Sequence, residues 1–200
     1  MLAVPFLENT EAGRIGFVAI GVVVLVVAVR LVRATPGLTW VALGLAAPAV
    51  ALQVASALLD RPGLLAWSAG FEAAFYFHAA GSLIAYMTAD RYASSDELFA
   101  AAATFTLLAW GFAYLFLLLQ TVQPGSFTAA VNPGDPRSWT EAMYLSFAIL
   151  SGVGLSDIIP ISPIARSLCA LEMFVGVIYL AAFVSRLIGL TVLGRATKER

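Results

Sequence analysis

Five apolar runs, each close to twenty residues or longer, alternate with short polar breaks along this chain. They occupy residues 15–32, 38–59, 64–87, 98–119 and 163–190. Crossing the ~30 Å hydrocarbon core of a bilayer takes about 20 apolar residues wound as a helix, so each run predicts a membrane span. The breaks are chemically apt: "RATPG" at 33–37, "DRPG" at 60–63 and "ADRYASSDE" at 89–97. With 61% hydrophobic and 12% charged residues over 200, the chain has about half the charged share of a soluble domain and cannot cover itself with polar surface in water. The expected class is an all-α integral membrane protein. The start, "MLAVPFLENTEAG", lacks the basic opening and small-residue cleavage site of a secretory signal, so the first run is expected to persist as a helix.

The stretch between the last two runs, 120–162, is too polar and too interrupted to span. A Pro/Gly-rich segment, "QPGSFTAAVNPGDPR", leads into "SWTEAMYLSFAIL". Ser138 followed three residues later by Glu141 is a capping box, which predicts a short helix starting there. Its ~12 residues would measure about 18 Å, roughly half a bilayer. A half-length helix followed by irregular backbone between two full spans describes a re-entrant loop. Such backbone survives at membrane depth only when buried in protein or lining water.

Basic residues orient the chain. A cytoplasmic C-terminus places Arg30, Arg33, Arg91, Arg195, Lys198 and Arg200 on the inner side, with Arg186 able to snorkel there. Only Arg14, Arg61, Arg137 and Arg166 fall outside. Five spans then put the N-terminus outside, and the loop enters from the external face. The net charge of −1 and the lack of a basic patch give no reason to expect a nucleic-acid partner. Cys169 is the only cysteine, so no intrachain disulfide forms.

From Trp139 onward, "SWTEAMYLSFAILSGVGLSDIIPISPIARSL" resembles the helix–filter–exit segment of two-helix, potassium-channel-type pore domains. Glu141, Tyr144, Ser146, Val153, Gly154, Asp157, Pro160, Pro163 and Arg166 stand in that family's register. The resemblance covers residues 98–194. It implies a homotetramer in the cell membrane, because one chain carries one loop and a fourfold pore needs four. The domain division expected is 1–97, a three-helix membrane region; 98–194, the pore domain; and 195–200, a cytoplasmic tail. The implied ion-conducting filter is Ser151, Gly152, Val153, Gly154, Leu155 and Ser156, with monovalent cations on the Gly152, Val153 and Gly154 carbonyls. Filter support falls to Tyr144, Asp157 and Glu141, the tyrosine hydroxyl donating to the aspartate. Cavity and gating positions are Glu172, Gly176 (at the family's hinge glycine), Val177, Leu180 and Val184. Neither an enzyme nor a bound cofactor is implied; the partners are the lipid bilayer, permeant potassium or sodium, and further copies of the chain.

The physics of the segment agrees with the resemblance. The short helix would aim the negative end of its dipole at a cation, and Gly152 and Gly154 permit the alternating backbone that turns successive carbonyls to one axis. Several letters depart from the family. Gly152 stands where a threonine supplies a hydroxyl ring, Leu155 where an aromatic braces the filter, and Ser156 where a second glycine is usual. If φ > 0 is required at 156, serine costs on the order of 1 kcal/mol per subunit. Ile149 and Ser151 replace threonines. Weak discrimination between potassium and sodium, or poor conduction, is the expectation, with a non-conducting channel-like assembly as the alternative.

Glu172 lies about nine residues into the last run, ~14 Å deep. It is read either as a ring of carboxylates at the cavity or as a hydrogen-bonded residue packed behind the pore helix against Ser146 or Ser151. Glu72 and His78, six apart in the third run, make a thin basis for a proton-coupled transporter. No run carries arginine at every third position, so a voltage sensor is not expected.

Overall fold

The computed structural model describes residues 36–59, 63–89 and 95–198, and most of them are helical. The span expected at 15–32, and most of the basic residues behind the orientation, lie outside the described residues. In chain order the elements are α1 (Pro36–Leu59), α2 (Gly63–Ala89), α3 (Ser95–Val122), β1 (Phe127–Ala129), α4 (Trp139–Leu150), β2 (Ile158–Pro160) and α5 (Pro163–Lys198). Each of the four later apolar runs is therefore one helix. Pro48 sits inside α1 without dividing it.

Leu98–Val122 of α3 and Pro163–Arg186 of α5 are long and apolar enough to cross a membrane. The apolar part of α1, Trp40–Ser56, is shorter. In α2 the limit is composition, since Ser68, Glu72, Tyr76, His78 and Ser82 dilute its 27 residues.

Neighbours in sequence pack on one another: α1 on α2, α2 on α3, α3 on α4, and α4 on α5. Small residues allow this. Ala69, Ala73 and Ala80 of α2 are buried with Ala109 and Ala113 of α3, and a Cβ on Gly111 would meet the Phe77 ring at 3.0 Å. Close backbone approach of this kind replaces the hydrophobic drive that lipid does not supply.

The segment before α4 is more ordered than a Pro/Gly-rich loop suggests. Its Phe127, Thr128 and Ala129 pair antiparallel with Pro160, Ile159 and Ile158, bringing the stretches before and after the loop to one end of the molecule. Ser126, fully buried, accepts from the Ile161 amide at 2.8 Å through its carbonyl.

Candidate functional site: a half-length helix and its filter loop

The start of α4 is built by its own sequence. Ser138 is the N-cap in extended backbone, its side chain accepts from the Glu141 amide, and Glu141 returns a bond to the Ser138 amide. Glu141 Oε1 also pairs with Arg137 Nη1 at 3.0 Å. Arg137, its side chain nearly buried, donates further to the Asn132 and Asp135 carbonyls. Gln120 at the end of α3 brackets the Arg137 backbone from both sides, donating to its carbonyl at 2.7 Å and accepting from its amide at 2.8 Å. Glu141 thus anchors the entry to α4, about 15 Å of helix from the filter at the opposite end. Its expected part in supporting the filter is corrected to this one. Arg137 and Gln120 escaped the sequence reading. The signal available was a glutamine closing an apolar helix and an arginine beside a capping box.

At the other end α4 runs out after its 12 residues into the filter stretch. Ser151 is the C-cap in right-handed backbone. Gly152 follows at φ +73° and Gly154 at φ +67°, both left-handed. The Gly152 amide donates to Ile149 O at 3.0 Å and the Gly154 amide to Ala148 O at 2.9 Å. These are carbonyls that the last turn of a helix leaves unpaired, and a left-handed glycine just past the cap is the usual way to reach them. Gly152, expected in the filter, is therefore the residue that terminates the helix.

Ser156 departs from expectation. Among the described residues only Asn132 has positive φ without being glycine, so Ser156 carries no left-handed strain. Its hydroxyl instead accepts from the Ile158 amide at 3.0 Å, a local serine turn that stabilises the conformation serine prefers. Val153 and Leu155 project from the chain, each 70% exposed; Leu155 braces nothing within its own subunit.

Tyr144 and Asp157 do not meet. Both are exposed, and no hydrogen bond joins them among the described residues. Tyr144 lies on the outward face of α4, whereas Asp157 is held at its backbone, its carbonyl accepting from the Ala130 amide at 3.3 Å.

The inner face of α5 corrects two further positions. Glu172 is completely buried and hydrogen-bonded to Ser146 of α4, so it lies behind the short helix and lines no cavity. Gly176, also buried, sits against Leu150, the last residue of α4. A Cβ there would fall 2.1 Å from Leu150 O. Helix α5 continues unbroken past Gly176, whose missing Cβ permits this close approach. Val177, Leu180 and Val184 occupy a different face, exposed in the single chain.

Glu72 belongs to a separate assembly. It is buried on α2, accepts a hydrogen bond from Gln53 of α1 and is hydrogen-bonded to Tyr114 of α3. The Tyr114 ring stacks on Tyr76 and lies 6.3 Å from Trp139, the first residue of α4. Glu72 and Glu172 are thus committed to different partners. No group of three or more metal-ligating side chains occurs among the described residues.

A half-length capped helix, a two-glycine loop at its C-terminal end, and a long apolar helix packed behind both define a pore module. Residues 101–192, a little under half the chain, match the family model described as "Ion channel". This segment is thus similar to the two-helix, potassium-channel-type pore domains. That match, together with two helices long and apolar enough to cross a membrane, supports an ion channel of potassium-channel type. Comparisons with curated proteins and with solved structures give no match.

Proposed function

We propose that this chain is one subunit of a homotetrameric, multi-pass cation channel whose filter discriminates weakly between potassium and sodium or conducts poorly. The observation that carries the reading is the filter backbone. Gly152 and Gly154 are both left-handed with a right-handed cap before them, on a loop whose Val153 and Leu155 stay exposed in the single chain. Backbone alternating in this way turns successive carbonyls toward one side, where four copies around an axis replace an ion's hydration shell. A lone loop has no such axis.

Three features support weak selectivity. Gly152 has no hydroxyl to offer, so the innermost ring of side-chain oxygens is missing. Leu155 is unpacked within the subunit and has no polar atom with which to fix the filter's width. Ser156 folds into its own turn, which removes the outermost site from the regular alternation. The Gly152, Val153 and Gly154 carbonyls remain as the cation-binding set, and Val177, Leu180 and Val184 share an exposed α5 face suited to a central cavity.

In this reading the chain makes five membrane crossings with the N-terminus outside and the C-terminus cytoplasmic, divided as 1–97, 98–194 and 195–200. The test is a reversal potential measured across bilayers containing the purified protein, in mixed potassium and sodium. A value close to that of a non-selective cation pore is expected. Strong exclusion of sodium would overturn the selectivity argument, and a stable species other than a tetramer would overturn the assembly.

A further inference from the structure

Glu172 is joined to the pore through one hydroxyl, and the proton count at that hydroxyl fixes its chemical form. The Ser146 Oγ lies 2.7 Å from the carbonyl oxygen of Ala109 on α3 and is also hydrogen-bonded to Glu172 Oε1 on α5. A serine hydroxyl owns one proton and two acceptor lone pairs. A carbonyl oxygen has no proton to give, so contact at 2.7 Å requires Ser146 to donate to Ala109. The bond to Glu172 must then run the other way, with the carboxyl donating to Ser146 Oγ.

The surroundings agree. Glu172 is fully buried, as is Ser146, and Glu172 Oε2 is buried with no hydrogen-bond partner among the described residues. An ionised carboxylate there would leave a full charge out of water with an unpaired oxygen. A neutral acid leaves only a carbonyl oxygen unpaired, a far smaller penalty. The titratable side chain beside it is Cys169, one turn earlier on α5 and also buried, which offers no positive charge to hold an anion.

We propose that Glu172 is a neutral, proton-donating positioning residue that ties the inner helix to the back of the pore helix. The chain Glu172 to Ser146 to Ala109 joins α5, α4 and α3 in sequence. One turn further along α5, Gly176 meets Leu150, the residue immediately before the filter. The two contacts together hold the last turn of α4, and hence Gly152, at fixed distance from α5. Electrostatic attraction of cations is no part of the role.

Its functional consequence rests on the channel reading above, whereas the protonation rests on geometry alone, and the experiment keeps the two apart. Infrared spectra of the full chain in liposomes at neutral pH are compared between wild type and Glu172→Gln. The expected result is a carboxylic-acid C=O band present in wild type and lost in the variant. Ser146→Ala should move that band toward the higher frequency of a carboxyl without a hydrogen-bond acceptor. A difference spectrum holding only carboxylate bands would overturn the proposal, as would a band indifferent to Ser146→Ala. Neither readout needs conduction, so a silent wild type counts against the channel reading alone. Where wild type does conduct, Glu172→Ala should alter the permeability ratio and Glu172→Gln, whose amide still donates to Ser146, should restore it. Loss of cation flux in an intact Glu172→Gln tetramer would instead assign a charged carboxylate and refute the proposal.

Discussion

Replacing Gly176 by alanine adds one carbon at the tightest approach made by any described glycine. That carbon would stand 2.1 Å from Leu150 O, 2.9 Å from its carbonyl carbon and 3.0 Å from its Cα. Ordinary contacts for a Cβ begin near 3.4 Å, so α5 and the end of α4 must part by roughly 1 Å. The obstructing atoms are all helix backbone, and no side-chain rotation can relieve them. Overpacking of this kind costs about 1–3 kcal/mol per chain, partly offset by the better helix propensity of alanine, ~1 kcal/mol. Leu150 immediately precedes Ser151 and Gly152, so the displacement passes directly to the filter. Gly44→Ala is the internal control, because that helical glycine has nothing within 4 Å of the added carbon and should gain stability from the same change. Thermal unfolding of the purified protein, together with cation flux into liposomes, reads both effects. Expected are a lowered midpoint and changed flux for Gly176→Ala, against a neutral or raised midpoint for Gly44→Ala. Equal midpoints and unchanged flux in the two variants would show that α5 does not rest on Leu150, and the reasoning would fail.

Other expectations follow from the same contacts. Gly152→Thr by itself should lower stability by ~1–2 kcal/mol per subunit, since a β-branched residue at φ +73° is strongly disfavoured; denaturation of single and combined variants checks this. Arg137→Ala should lower stability by about 2 kcal/mol, as several carbonyls and Glu141 lose a charged donor; Arg137→Lys should recover little of it, the measurement being the same melt. Glu72→Leu should cost ~1–3 kcal/mol by stranding the Gln53 and Tyr114 polar groups, and Glu72→Gln appreciably less. A thermal scan that ranks leucine above glutamine would contradict that network.

What the sequence displayed well was local. The capping box of Ser138 and Glu141 lies within four residues, so the start and length of α4 could be read directly, and apolar periods long enough for a helix need no partner to be recognised. Relations between distant residues were harder. Glu172 admitted two roles until Ser146, 26 positions earlier, was seen beside it, and nothing in the letters of α5 reveals which face meets α4. Gly176 illustrates the same limit: glycine permits close approach, and only the folded position of Leu150 shows that it is used for one here. Arg137 entered the charge count only by its side of the membrane, and nothing in the letters showed its side chain bonding loop carbonyls that become acceptors only when the loop folds. Ser156 failed for another reason. Strain was expected by analogy with a glycine, but a serine can satisfy the Ile158 amide in ordinary backbone, and the loop follows the residue it has.

The filter letters therefore have to be read together with the end of the helix that carries them. Gly152 closes α4 by donating to Ile149 O while Gly154 donates to Ala148 O, and the second bond depends on a left-handed residue at 152, which turns the chain back over the helix end. A threonine at that position would favour right-handed or extended backbone and so release the Ala148 carbonyl. The missing hydroxyl ring and the left-handed helix end are thus one structural choice. It follows that restoring a family-like filter here means changing how α4 terminates, and that Leu155→Tyr and Ser156→Gly act on a loop whose first turn stays as it is. Potassium preference should respond to the combined variant only if the last turn of α4 rearranges with it, an event that hydrogen exchange at the Gly154 amide can follow independently of any current. Faster exchange at the Gly154 amide accompanying a gain in selectivity would match this coupling. A gain in selectivity with that amide as protected as in wild type would separate the hydroxyl ring from the helix end and refute it.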